Sequence, residues 1–199
     1  YELASCLVGS EMCIRDSIYL VEHLSGLVSV TNLVSHFTAQ KRKTSYDTIA
    51  NYISYLEDVF LIHRVERCQV RTKEVVLGTC RYYINDWAFM HYLYPFFVRE
   101  REVKFRNHVC LELKHAGYRV NVGVHRNKVI DFMARKDDRI IYIQCVSTLE
   151  NEVAMQASYA SLESIQDNYE KWVVSLDKTM LPSKEGIRHI QAWKLAEML

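Results

Sequence analysis

The chain has 199 residues, 49% of them hydrophobic and 25% charged, enough for one large domain or two small ones with cores of their own, and that composition excludes disorder, a coiled coil and collagen. No apolar run approaches the roughly 18 residues of a membrane-spanning helix. The balance of 25 basic against 24 acidic residues excludes nucleic-acid binding by bulk charge and leaves only a local patch.

The six glycines, at positions 9, 26, 78, 117, 123 and 186, spell neither G-x-G-x-x-G nor G-x-x-x-x-G-K-[ST], so no glycine-rich loop for ATP or NAD is present. The six cysteines (6, 13, 68, 80, 110 and 145) form no C-x-x-C pair, and Cys110 and Cys145 lie in apolar runs. This pattern predicts free thiols, a reducing cytoplasmic compartment and no structural zinc.

Residues 7–17, LVGSEMCIRDS, resemble the one-frame translation of a transposase sequencing adapter. On that reading residues 1–17 are not native, and the natural chain began further upstream. From residue 18 the apolar positions Ile18, Leu20, Val21 and Leu24 predict a helix ended by Gly26. Residues 30–38 repeat the pattern with Val30, Leu33, Val34 and Phe37, and the basic loop Gln40-Lys41-Arg42-Lys43 follows. A third helix starts at Thr44 or Ser45, with Asp47 in its first turn and an apolar stripe of Ile49, Tyr52, Ile53 and Leu56. Strand-like runs at 59–65 and 81–84 complete three helices and a two-stranded ribbon, the pattern of a winged helix.

A second unit opens with a helix over 103–115, stopped by Gly117. Strands follow at 118–124, 128–135 and 139–146, the last apolar enough to be buried on both faces. A helix at 150–164, strands at 172–176 and 187–191, and a closing helix at 192–199 make an α/β sandwich. The boundary falls near Tyr94-Pro95-Phe96, giving a winged-helix domain at 18–95 and a second domain at 96–199. The fold class is thus α/β, or α+β overall.

Three sets of residues carry chemistry. Ser45, Thr48, Asn51 and Tyr55 line the third helix opposite its core stripe, after Lys41, Arg42 and Lys43. In a helix-turn-helix such positions face the major groove, where Asn pairs with adenine and the cations meet phosphates; a solvated face, or a protein contact, is the alternative. Asp131 interrupts the strand Val129-Ile130-Asp131-Phe132-Met133, and Gln144 lies at the centre of the next strand. This is the layout of a restriction-endonuclease-like metal site, but with Gln144 in place of the second acid and Val146 in place of the lysine. His108, Glu112 and His115 share a helix face at metal-ligand spacing, a pattern equally at home on a solvated face. The aromatic stretch Tyr82-Tyr83, Trp87, Phe89, Tyr92, Tyr94, Phe96 and Phe97 suits either an interdomain seam or base stacking.

The segments SVTNLVSHF, SYDTIANYISYLEDVFLIHRV, RYYINDWAF, NHVCLELKHAGYRVNVG, VIDFMARKDDRIIYIQCV, DNYEKWVVSLD and EGIRHI together resemble the C-terminal region of prokaryotic AAA-family ATPases with an uncharacterised C-terminal domain. The resemblance implies a P-loop ATPase module, with its ATP and Mg, preceding a winged helix and a PD-(D/E)XK nuclease-like fold. Asp86 matches the Asp of the family's tyrosine-rich element, while Arg81 and Ala88 replace its Lys and Gly. Where the family often has Glu before Asn-x-Val, matched by Asn107 and Val109, this chain has Arg106. Of the acids and the lysine such an active site needs, Asp131 alone remains, beside Gln144. The resemblance therefore implies a non-catalytic fragment with no cofactor or metal of its own, contacting DNA or a partner such as the missing ATPase module. A metal-dependent nuclease using Asp131 and a protein-interaction module are the alternatives.

Overall fold

The computed structural model describes residues 26–41, 44–88, 101–150 and 152–199. The adapter-like segment, the predicted helix at 18–24, Arg42, Lys43, the aromatic residues 89–97 and the predicted boundary near Pro95 lie outside them.

Helix α1 (Val30–Ala39) is capped by Ser29, whose hydroxyl accepts from the Asn32 amide, and α2 (Tyr46–Asp58) by Ser45, which accepts from Thr48 in the same way. Each cap satisfies an amide that the first helical turn leaves free. The two helices bury Leu33 and Phe37 against Ile49, Ile53 and Leu56, over a hairpin of β1 (Ile62–Gln69) and β2 (Val75–Ile84). Helix α3 (Arg101–His115) leads into an antiparallel meander of β3 (Arg119–His125), β4 (Lys128–Lys136) and β5 (Arg139–Val146). Helix α4 (Glu152–Glu163), β6 (Glu170–Ser175), β7 (Ile187–Gln191), a 3-10 turn (Ala192–Lys194) and the short α5 (Leu195–Met198) close the chain.

All seven strands belong to one mixed sheet in the order β2-β1-β3-β4-β5-β6-β7. The hairpin joins through a parallel β1–β3 pairing of three residue pairs, Arg67 with Val122, Cys68 with Gly123 and Gln69 with Val124. Strands β5, β6 and β7 are parallel. Alternate residues face two cores. On one face α3 covers Phe132, Ile143, Trp172 and, from the hairpin, Val65 and Tyr83. On the other, α4 covers Met133, Tyr142 and Val173. The fully buried rings of Trp172, Tyr83, Tyr142 and Phe132 are each worth on the order of 2 kcal/mol of hydrophobic transfer.

The predicted strands at 139–146 and 187–191 have their observed limits. Two others differ: β1 begins at Ile62 rather than at position 59 and continues to Gln69, and β2 begins at Val75, well before the predicted run at 81–84, leaving Arg71 and Lys73 in the turn between them. Between Glu66 and Arg67 the β1–β2 register shifts, so that Leu77, Gly78 and Thr79 have no ladder partner in β1 and Gly78 takes a positive φ of 105°. A winged-helix pattern leaves the ribbon free, whereas here its strands are part of the common sheet.

Candidate functional site

The surroundings of Asp131 are shaped by a β-bulge. Asn121 pairs with Met133 and Gly123 with Ile130, so the single residue Val122 lies opposite both Asp131 and Phe132. Strict alternation would put Asp131 on the α4 face with Ile130's neighbours Met133 and Tyr142, opposite Gln144. The extra residue instead turns Asp131 to the α3 face, the side that Phe132 also occupies. There Arg81 Nη1 donates to Asp131 Oδ1 at 3.0 Å, and Arg106 Nε stands 3.6 Å from the same oxygen. The other oxygen, Oδ2, accepts from the Cys145 amide at 3.1 Å.

Gln144 reaches Asp131 only through the backbone, its Oε1 accepting from the Asp131 amide at 3.3 Å. Each side chain thus takes a backbone amide of the other strand, tying β4 to β5 just beyond their last ladder pair, Phe132 with Ile143. Ile143 and Cys145 belong to the α3-face core and Val146 to the α4-face core, so Gln144 and Val146 share the face that Asp131 has left.

The Asp131 side chain is 6% exposed and that of Arg81 12%. Burial alone would lower the Arg81 pKa, but Tyr83 and Asp131 hold it above the usual arginine range. Burial, with the Asp131 charge adding to it, pushes the Cys145 thiol well up, so this cysteine is no nucleophile. One acid outside the sequence motif joins the cluster. Glu102, one helical turn before Arg106, lies 3.9 Å from its Nη2 and accepts from the Ser147 amide at 2.7 Å. Its signal in the sequence is the i, i+4 spacing of Glu102 and Arg106, which the motif hides by pointing to position 106 itself. Asn107, one residue further, binds both the amide and the carbonyl of Ile84, each at 2.8 Å, and pins α3 to the end of β2.

A second buried polar set, with no motif to announce it, links β6 and β7. The His189 Nδ1 accepts from the Leu181 amide at 2.9 Å, so in the neutral ring Nε2 carries the proton and donates to Ser175 Oγ at 2.9 Å. Ser175 donates in turn to Asp177, which also accepts from Thr148 and the Leu149 amide. The residue types are those of a hydrolase triad, but this histidine is a donor to the serine, and Ser175 is fully buried. The set ties loops together and does not activate a nucleophile.

On α2, Ser45, Thr48, Asn51 and Tyr55 are all exposed and share a face, as is Lys41 in the preceding turn. The Ser45 and Thr48 hydroxyls bond to each other at 2.8 Å. His108 Nδ1 lies 3.9 Å from Glu112, and among the described residues no three His, Cys, Asp or Glu side chains converge as metal ligands would. Among the same residues no helix is long and apolar enough to cross a membrane.

Residues 18–100, which include α1, α2 and the hairpin, match a domain of unknown function (DUF8612). An uncharacterized protein of Haemophilus influenzae is 28% identical over 158 residues, which is 79% of this chain and 39% of that protein. The chain therefore spans about two fifths of the length of this relative. A crystal structure of a Vibrio cholerae protein aligns with 96% of this chain and 55% of its own at 12% identity, with a TM-score of 0.29.

Proposed function

We propose that this chain is a non-catalytic recognition module, the C-terminal part of an AAA-type ATPase, which contacts DNA through α2 and the basic turn before it. The observation that carries the reading is the exposed polar face of α2, where Thr48, Asn51 and Tyr55 follow Lys41. Arg42 and Lys43 add to the local positive charge that phosphates require.

The nuclease alternative is disfavoured by the chemistry at Asp131. A divalent ion needs free, converging anionic oxygens, yet Oδ1 faces two guanidinium groups and Oδ2 an amide. The donor set does not fit a metal. A protein contact is favoured at one place, the C-terminal end of α2, where Tyr55, Val59 and Phe60 are 48%, 42% and 67% exposed.

Fluorescence anisotropy with a labelled DNA duplex, titrated at low and moderate salt, tests the DNA reading. Binding should weaken with salt, and replacing Lys41, Arg42 and Lys43 by Ala should flatten the log–log salt slope by about 0.9 for each phosphate no longer neutralised. No binding at low salt, or an unchanged slope in the triple variant, overturns it. Loss of co-purification with the restored full-length chain in Phe60→Ser would favour the protein contact instead.

A further inference from the structure

At the end of β1 remote from α2, three segments far apart in sequence enclose a cavity of about 550 Å³, within the roughly 300–1,000 Å³ range of small-molecule sites. The β1–β2 turn supplies Arg71 and Lys73, the end of β3 and the turn after it His125 and Arg126, and the loop before β6 Asp167 and Tyr169. Its charges fall into two groups. In one, Lys73 donates to the Tyr142 hydroxyl and lies 3.7 Å from Asp167, which accepts from that hydroxyl at 2.8 Å. Asp167 is thus balanced by Lys73 and by Lys171, 3.8 Å from its other oxygen, and the Lys73 ammonium also lies 4.9 Å from the ring centroid of Tyr169.

At the mouth, Arg71 and Arg126 are exposed and make no ion pair with any described residue. His125 also lines the cavity, with its Nε2 sealed off from solvent. Lys73 and Arg126 also hold positive φ angles of 62° and 54°, a conformation that non-glycine residues avoid unless their surroundings impose it. By contrast, the cavity beside Ser147 and Thr148 sets Arg101 and Lys178 against Glu150 and Asp177 and carries no net charge.

Two uncompensated guanidiniums and a 42% exposed tyrosine make a complementary surface for a phosphate attached to a flat ring. We propose that this cavity binds a nucleotide, its phosphate held by Arg71 and Arg126 and its base against Tyr169. The ligand is either a free nucleotide or the terminal nucleotide of a single strand. This site is separate from the α2 face and does not depend on it.

Isothermal titration of the full chain with adenosine monophosphate, adenosine, inorganic phosphate and a short single-stranded oligodeoxyadenylate tests the proposal. Adenosine monophosphate should bind with a Kd below about 1 mM, and adenosine at least about tenfold more weakly, because it has no phosphate for the guanidiniums to hold. Replacing Arg71 and Arg126 by Ala, both exposed and so tolerable to the fold, should weaken the monophosphate by about tenfold or more. Tyr169→Ala should weaken the monophosphate and leave inorganic phosphate unaffected. An oligonucleotide more than about tenfold tighter than the monophosphate assigns the site to strand ends, and a smaller gain assigns it to the free nucleotide. Equal binding of adenosine and its monophosphate, an unchanged double-arginine variant, or no binding of any phosphate at about 1 mM overturns the proposal. The Lys41, Arg42 and Lys43 triple variant should bind the monophosphate like the wild type, so failure of the DNA reading is distinguishable from failure of this one.

Discussion

At the scale of single residues, Asp131 illustrates how a side chain with the address of a metal ligand becomes a structural anion. The two guanidiniums beside it supply, from within the chain, the positive charge that an ion would otherwise bring. Removing the carboxylate should therefore cost stability. Asp131→Ala leaves Arg81 buried and uncompensated, and urea unfolding should show a loss of about 3 kcal/mol. If instead stability is unchanged while a magnesium-dependent DNA cleavage disappears, the residue is catalytic. Asp131 itself was legible in the sequence because it breaks an apolar strand, whereas its partner Arg81 was not. Fifty residues separate the two, and nothing local in either segment announces their contact.

At the scale of elements, helices and strands were mostly legible because period and capping are local signals. Ser45 caps α2 as its position before the apolar stripe implies. Register was not legible. The bulge opposite Val122 arises from packing between strands, and the face of the sheet on which Asp131 lies depends on it. Gly123 shows how tightly this region is built. A β-carbon added there would stand 2.9 Å from Ile130 Cβ and 3.3 Å from Val70 Cγ2, at the rung where β3 meets both β1 and β4. Gly123→Ala should accordingly destabilise the protein by about 2 kcal/mol through overpacking, seen as a lower denaturant midpoint. A neutral or stabilising outcome would mean that the three strands separate more easily than their packing implies.

At the scale of the whole molecule, stability should depend on pH through buried histidines. Burial lowers the His189 pKa from the usual histidine value of 6.5, with the Asp177 charge opposing it, and burial also lowers that of His63. The unfolded chain then takes up these protons before the folded chain does, so stability is fully present above about pH 6.5 and declines as the pH falls toward the folded-state values. Burial alone would raise the Asp177 pKa, but hydrogen bonds from Leu149, Thr148 and Ser175 hold it below 3.8, so its contribution is lost only in stronger acid. Urea unfolding between about pH 7 and pH 5.5 should show the decline, and the His189 ring protons should titrate below 6.5 in NMR spectra. A flat profile, or a higher titration midpoint, would contradict the burial of this histidine. The union of both halves in one sheet was not legible either, since a parallel pairing of strands about 55 residues apart leaves no periodic trace. That pairing has a consequence for biosynthesis. Strand β1 leaves the ribosome well before β3 exists, and until then its free edge is open to any passing strand. With only three rungs to be filled later, the exposed length is short, and β3 can close it once its turns with β4 and β5, both local and fast, have formed.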